Sequence, residues 1–470
     1  MSIVAPAPFS TNPVRRLLSD LRAERAAQGP LPPGITGFSI PRTRRFERDP
    51  LGMLLDLERR FGPVFTLRVL HAPVVFMIGP EANHYLTVSH ASNFRWREGS
   101  MGDLIPLLGD GLLTIDGAYH KRARRIMLPA FHSERLAAAT DTMLDEAEQA
   151  VAGWRGGEVV DVYAWTRRLA LRVAMRALFG FDPDGATRGV DMAREFERAL
   201  GFYEREYFMQ MLRGPYSPFA QMQRARRLLD GVIFAEISRR RAADSTGEDI
   251  LSLLVDARDE DGSGLSDQEI RDQVMTLLFA GHDTTTSTVA FLFYELSRSP
   301  ESLARLFVEQ DEVLGGRRPS AAELAGGLPE LEMAVDETLR LYPAAWIGPR
   351  RSVEPFEFEG KHVPGGIVVA YSSWVSHHLA SVFPEPEEFR PQRFSPAEKA
   401  KLPKGAYVPF GGGSRTCTGM RFGQLEVKAI ATAVLQRFAL ELVPGYEMEV
   451  RRMPTLSPRH GLPMRVGARS

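Results

Sequence analysis

Cys417 is the only cysteine in 470 residues, and it sits in the segment Phe410-Gly411-Gly412-Gly413-Ser414-Arg415-Thr416-Cys417-Thr418-Gly419. A lone cysteine makes no internal disulfide, so its chemistry is inert packing or that of the thiolate. The neighbours favour the thiolate. Gly411, Gly412 and Gly413 let the backbone turn sharply and gather N–H groups near one point. Arg415 adds positive charge, and a helical pattern opens just after Gly419, aiming a positive helix end at the sulfur. One thiolate cannot complete a four-ligand zinc or iron–sulfur site. It suits a metal that brings its own equatorial ligands, as haem iron does.

A second chemical segment interrupts an apolar stretch. After Val274-Met275-Thr276-Leu277-Leu278-Phe279 the chain reads Ala280-Gly281-His282-Asp283-Thr284-Thr285-Thr286. Gly281 costs a helix about 1 kcal/mol relative to alanine, and Asp and Thr compete for backbone partners. Thr284 stands four residues after Ala280, so its hydroxyl can take the Ala280 carbonyl and open a groove in the helix. Beside a haem, such a groove would admit dioxygen, and Asp283 with Thr284 could relay protons to it. His282 reads as packed or solvent-facing rather than as a metal ligand.

The spacing Phe-x-x-Gly-x-Arg-x-Cys-x-Gly at Phe410, Gly413, Arg415, Cys417 and Gly419 resembles the haem-binding signature of the cytochromes P450. Ala280-Gly281-His282-Asp283-Thr284 is similar to that family's oxygen-side helix element. The resemblance covers residues from about 30 to the C-terminus. It implies haem b with Cys417 as axial iron ligand, and cofactor contacts from Ala280, Gly281, Phe410, Gly411 and Gly419. His120, Arg124, Arg350 and Arg415 are the implied partners of the haem propionates, with Arg351 a rival to Arg350. Glu337-x-x-Arg340 with Arg393 would form a buried structural network near the thiolate side. Family-like placement also nominates a substrate pocket of Leu104, Ile105, Leu108, Phe202, Tyr203, Phe279, Trp346, Ile347 and Leu456. Any of these apolar side chains could equally be core.

Long elements must hold these groups in register. Ser266 and Glu269 form a capping box, and Pro300 follows the last helical residues, which predicts a helix over Asp267–Ser297. At 1.5 Å per residue it would span roughly 45 Å, a whole domain. Val64–Val69 and Val74–Ile78 read as strands about His71-Ala72-Pro73, Leu51–Phe61 as a helix, and Val14–Arg22 as a short amphipathic stretch. Residues from Gly117 to about Leu341 are mostly helical in pattern, and strand-like segments return at Val368–Ser372 and near the C-terminus. The expected architecture is mainly α with a small β lobe (α+β), the haem lying between the long central helix and the cysteine loop with its C-terminal helix. One domain is expected over 35–470, with the lobe at about 62–80 and 350–375, after an N-terminal extension over 1–34.

Composition limits the partners. Hydrophobic residues are 44%, charged residues 25% and the net charge −1, which offers no field for nucleic acid. No apolar run approaches the ~20 residues of a membrane span, and Met1–Pro6 lacks a signal-peptide core. A cytoplasmic monomer is expected. The resemblance implies a monooxygenase in which one electron reduces the iron, dioxygen binds, and a second electron with two protons cleaves the O–O bond, so that one oxygen atom enters a hydrophobic substrate. A fatty acid, terpenoid, steroid or polyketide would suit the apolar pocket. No flavin or iron–sulfur segment is evident, so a separate ferredoxin or flavodoxin with its reductase is implied. A peroxide-driven or isomerising protein of the same fold, or a haem-thiolate sensor or carrier, are the alternatives.

Overall fold

The computed structural model describes residues 9–99, 101–182, 189–243, 249–259 and 262–469. The first eight residues, including Met1–Pro6, lie outside these.

The fold is organised around the helix Asp267–Arg298. Its start follows from local chemistry. Glu269 N–H donates to the Ser266 hydroxyl at 3.2 Å, and Ser266 N–H donates to the Glu269 carboxylate at 2.8 Å. Ser299 leaves the helical region and Pro300 opens the next helix, Pro300–Leu314. Every side chain from Ile270 to Phe279 is buried, so this helix is core on all sides rather than amphipathic. The sequence pattern breaks at Ala280–Thr286, but the helix does not; it runs through as one element.

The β lobe is a six-stranded sheet. Its strands are β1 (Gly34–Ile35), β2 (Val64–Val69), β3 (Ala72–Met77), β4 (Phe94–Arg95), β5 (Gly348–Ser352) and β6 (Val368–Tyr371), in the order β1-β2-β3-β6-β5-β4. β3 starts two residues before the expected strand, because the turn closes at Leu70-His71 and leaves Ala72 and Pro73 paired with β2. In β5, successive side chains face opposite ways. Arg350 is buried inward, while Arg351 faces out and meets Asp20 at 2.5 Å. That aspartate belongs to a helix over Pro13–Ala26, longer than the amphipathic stretch read from the sequence, which also binds Arg68 of β2 through Glu24.

Two further elements complete the frame. The helix Met420–Leu435 follows the cysteine loop and is buried throughout from Leu425 onward. The three-residue strand Val159–Asp161 pairs with Pro463–Ala468, which in turn pairs with Phe438–Leu442. Val159–Asp161 breaks the stretch expected to be helical; Val159 and Val160 are β-branched, but the strand is only three residues long and exposed at Val159 and Asp161, too short to show a period in the sequence. Among the described residues, no helix is long and apolar enough to cross a membrane.

Candidate active site

The cysteine loop is held by contacts that only small residues allow. Gly411 and Gly413 have φ of 68° and 60°, in the left-handed region. A Cβ on Gly413 would overlap the Thr87 backbone carbonyl, so glycine is required twice over there. Cys417 N–H donates to the Phe410 carbonyl at 3.0 Å and closes the loop. Cys417 has accessible surface, yet burial raises its thiol above the ordinary range; a Gly419 N–H bond and the Arg124 charge act the other way. Accessible surface on a group hemmed in by protein means the sulfur faces an internal void.

The central helix opens toward the same region. Within a helix otherwise closed from Arg271 to Ala290, only Ala280, Gly281 and Thr284 retain partial exposure. These positions are i, i+1 and i+4, one face of a helix. Phe279, beside them, is nearly closed. The Thr284 hydroxyl donates to the Ala280 carbonyl at 2.6 Å. One residue on, the Thr285 hydroxyl bonds Glu426 at 2.9 Å and pins the helix that follows Cys417 against the central helix. Cys417 and Thr284 thus each keep accessible surface on elements that are held against one another.

Asp283 is turned elsewhere. It is buried among His282, whose Nδ1 lies 3.3 Å from its Oδ1, and Arg167, at 3.6 Å. Its carboxylate makes no bond to the Thr284 hydroxyl, so the two residues expected to relay protons are not hydrogen-bonded to each other. Burial alone would raise Asp283, but His282 and Arg167 hold it below the ordinary carboxylate range. His282, expected to be packed or solvent-facing, is fully buried.

On the rim, positive charge is in excess. The Arg350 guanidinium lies over Trp96 at 4.6 Å and Tyr371 at 5.0 Å; its hydrogen bonds are to the Gly348 carbonyl at 3.3 Å and to Tyr371, and no carboxylate among the described residues touches it. Arg124 donates to the Thr416 carbonyl at 2.7 Å and likewise has no acidic partner among the described residues. Arg415 pairs with Asp116 at 2.6 Å. It is thus spent on a carboxylate rather than directed at the sulfur; the charge that acts on Cys417 is Arg124. Burial lowers Arg415 to about 10 although Asp116 opposes it, and Arg350 adds to the fall. Burial, with Arg415 and Arg124, pushes His120 down to about 3, leaving a neutral imidazole. The Trp96 indole N–H is buried without any partner. Buried cations and an orphaned donor around one void fit a dianionic cofactor, which would supply the missing acceptors. Trp96 and Asp116 were missed in the sequence. An aromatic between two arginines in Arg95-Trp96-Arg97 is the only local hint.

Behind the thiolate side, Glu337 and Arg340 are both fully buried and joined by two contacts of 2.8 Å. Arg393 Nε reaches Glu337 at 3.3 Å. The Arg340 carbonyl faces His377 Nδ1 at 3.2 Å, and Val408 N–H donates to His377 Nε2 at 3.0 Å. The network therefore reaches the chain two residues before Phe410.

Several expected pocket residues are core instead. Leu108 and Leu456 have no accessible surface and cannot line a void. Trp346 turns into the lobe core against Phe46 and Trp374, its indole bonded to the Arg452 carbonyl at 2.8 Å. Its neighbours Ala345 and Ile347 carry the accessible surface, as alternation along an extended segment requires. Phe202 and Tyr203 pack edge-on to each other, and the Tyr203 hydroxyl donates to the Asp103 carbonyl at 3.2 Å. Leu104 is nearly closed, and Ile105 is partly open. Alternation in sequence alone does not say which side of a loop faces the cavity.

The comparisons with known proteins agree with this site. The cytochrome P450 family profile matches residues 30–462. The chain is 36% identical over 349 residues to cyclooctat-9-en-7-ol 5-monooxygenase of Streptomyces melanosporofaciens, covering 72% of this chain and 74% of that protein. It is 33% identical over 419 residues to cyclooctatin synthase of the same organism, covering 87% and 90%. Among solved structures, retinoic acid-bound cyanobacterial CYP120A1 superposes with a TM-score of 0.84 at 30% identity, over 93% of this chain and 99% of that one. The chain belongs to the cytochrome P450 family. It is a haem b monooxygenase of the P450 fold, and the family draws its electrons from redox partners and acts on hydrophobic molecules.

Proposed function

We propose that this chain oxygenates a hydrophobic isoprenoid, with Cys417 as axial iron ligand and Thr284 governing proton delivery. The observation that carries the reading is the accessible Cys417 sulfur together with the partly exposed Ala280, Gly281 and Thr284 of an otherwise buried helix that Thr285 ties to the helix after Cys417. Bound there, haem would supply the oxygen activation, with the Cys417 thiolate holding its iron. The residues of this chain do the rest. Arg124, Arg350, the Trp96 N–H and neutral His120 hold the propionates, and Arg415 braces that rim through Asp116. The Thr284 hydroxyl gives its own hydrogen to the Ala280 carbonyl, so its oxygen is left as an acceptor that can hold a proton-carrying group in place. Cys417, raised by burial, would be held as the thiolate by the charge of a bound iron.

The isoprenoid class rests on the relatives, whose names record a cyclooctatene alcohol and retinoic acid, and on an apolar lining that includes Phe279, Ala345 and Ile347. A separate ferredoxin or flavodoxin with its reductase supplies electrons, and the chain acts as a monomer in the cytoplasm. Titrating the holo-protein with retinoic acid, a cyclic diterpene alcohol, palmitate and a steroid tests the reading. The isoprenoids are expected to give the tightest low-spin to high-spin shift, and product should require NAD(P)H with a surrogate ferredoxin pair. Tighter binding of palmitate, with turnover on hydrogen peroxide alone, would overturn it in favour of a peroxygenase.

A further inference from the structure

The three most exposed large hydrophobic residues among those described are Tyr216 at 86%, Phe38 at 65% and Val14 at 60%. Scattered exposed apolar residues are normal, but these three belong to segments that touch one another. Arg213 donates to the Thr11 carbonyl at 3.3 Å, which ties the loop holding Leu212 and Tyr216 to the start of the helix Pro13–Ala26. Arg68 binds Glu24 of that helix at 3.1 Å and also donates to the Thr36 carbonyl, two residues before Phe38. Glu47, on the helix Ile40–Arg48, is raised by burial and by the neighbouring charge of Glu206, which leads into the same loop.

A surface helix ordinarily turns its charges outward. In the helix Pro13–Ala26 the inward side carries, beside Leu17 and Leu21, the charges of Arg16, Asp20 and Glu24, which bind Asp103, Arg351 and Arg68. Asp20 also meets His71 at 3.1 Å. The outward side carries Val14, Leu18, Arg15, Arg22 and Arg25, all exposed. Both acids of the helix are thus spent inside, and its outer face keeps no acid. Phe38 and Ile40, at the start of the next helix, are exposed beside the exposed Arg44 and Arg48. Over 13–26, 36–48 and 205–216 ten arginines stand against four acids, in a chain whose net charge is −1.

We infer that this face is a peripheral docking surface for an anionic lipid bilayer, with Val14, Leu18, Phe38 and Tyr216 entering the interface and the arginines held at the headgroups. Cations without facing acids match the charge of anionic lipid. The apolar side chains among them gain nothing from a purely ionic partner, but at a membrane interface they leave water. Arginine stems suit that depth, and so does a tyrosine ring, apolar in body and polar at its tip. The contact is peripheral, because among the described residues no helix is long and apolar enough to cross a membrane. Only its use rests on the proposed function: a hydrophobic substrate dissolves in the same bilayer. Vesicle binding needs no turnover, so its failure and that of the oxygenase reading are told apart.

The test is sedimentation of the holo-protein with vesicles of phosphatidylcholine, alone or mixed with phosphatidylglycerol. Binding to the mixed vesicles is expected, weakening as salt rises, with little binding to phosphatidylcholine alone. Arg15→Glu/Arg22→Glu and Val14→Glu/Leu18→Glu should each weaken it about tenfold or more, with the haem spectrum and thermal unfolding unchanged. Val308→Glu, at a comparably exposed apolar residue outside the three segments, should change it little. The indole added by Tyr216→Trp should emit at shorter wavelength on the mixed vesicles only. No binding to the mixed vesicles, or binding that both pairs leave intact, overturns the proposal. Binding to soluble polyglutamate as tight as to the mixed vesicles, without the emission shift, would assign the face to an acidic protein and overturn the bilayer. Loss of binding with the arginine pair alone overturns the apolar insertion.

Discussion

Glu337→Gln removes one negative charge from the least exposed ion pair of the site and almost nothing else. The Glu337 carboxylate accepts from Arg340 Nε and Nη2 at 2.8 Å each, from Arg390 N–H at 2.9 Å and from Arg393 Nε at 3.3 Å. Glutamine preserves the shape but turns one acceptor into an NH2 group that faces guanidinium donors. Arg340, with no exposed surface, then keeps its charge without a counterion, beside the second cation Arg393. Stranding a buried charge costs about 3–5 kcal/mol, a third or more of the stability of many domains. The assay is urea unfolding of the holo-protein, followed by haem absorbance and circular dichroism. A lower midpoint at unchanged m value is expected. The double variant Glu337→Leu/Arg340→Met discriminates the cause. It removes both charges and leaves the His377, Pro386 and Glu388 carbonyls without their Arg340 donors. Only the first of these bonds is fully buried, so the double variant should lose about 1–3 kcal/mol, less than Glu337→Gln alone. A loss below 1 kcal/mol in Glu337→Gln, or a double variant equal to the sum of the single ones, would refute the argument.

Thr284→Ala should retain the substrate-induced spin shift while diverting electrons into hydrogen peroxide; unchanged coupling of NAD(P)H to product would remove the hydroxyl from proton delivery. Gly413→Ala forces a side chain into the left-handed region, at about 1–2 kcal/mol, and against the Thr87 carbonyl, at roughly 1–3 kcal/mol more. Thermal unfolding and haem retention should both fall, whereas Gly423→Ala, with open space around its Cβ, should be neutral or stabilising by up to ~1 kcal/mol. Glu426 is raised to about 8 by burial, so the folded protein holds its proton through a range where the unfolded chain, near 4.5, releases it. Stability therefore declines as pH rises from 4.5 to about 8. Glu426→Gln should gain on the native protein by up to ~1.4 kcal/mol per pH unit across that window; a constant difference in urea midpoint would show that the carboxyl is already ionised.

What the sequence made legible was local. The cysteine loop, the capping box at Ser266 and the Thr284–Ala280 bond each depend on residues within a few positions of one another, and their spacing carries the geometry. Strand alternation likewise separates Arg350 from Arg351 once β5 is known, but the sequence alone could not choose between them. What stayed hidden was set by distant partners. Arg415 looks like charge for the sulfur until Asp116, some three hundred residues earlier, is seen to take it. Trp346 and Leu456 look like pocket residues because they are apolar and well placed in order, yet the lobe core claims both. Glu426 gives one sequence signal, an acid inside Leu425-Glu426-Val427-Lys428-Ala429-Ile430, but nothing local identifies Thr285 as its partner.

The polar segment of the central helix does not have to be a drain on stability, and this explains how it can sit at the centre of the core. Thr284, Thr286 and Thr288 each donate to the carbonyl four residues back, at 2.6, 2.8 and 2.9 Å, so their hydroxyls are satisfied without water. At a net 0.5–1.5 kcal/mol or so per bond, the three together offset the cost of about 1 kcal/mol at Gly281. The helix can then divide its faces. Ala280, Gly281 and Thr284 leave an opening beside the sulfur, while His282 and Asp283, turned the other way, spend their charges on Glu197 and Arg167. An apolar residue at 282 would pack as well against Phe196, but it would leave Asp283 and Glu197 with only Arg167 between them. Ionised acid on one face and partly exposed small residues on the other are compatible because the helix backbone between them stays continuous.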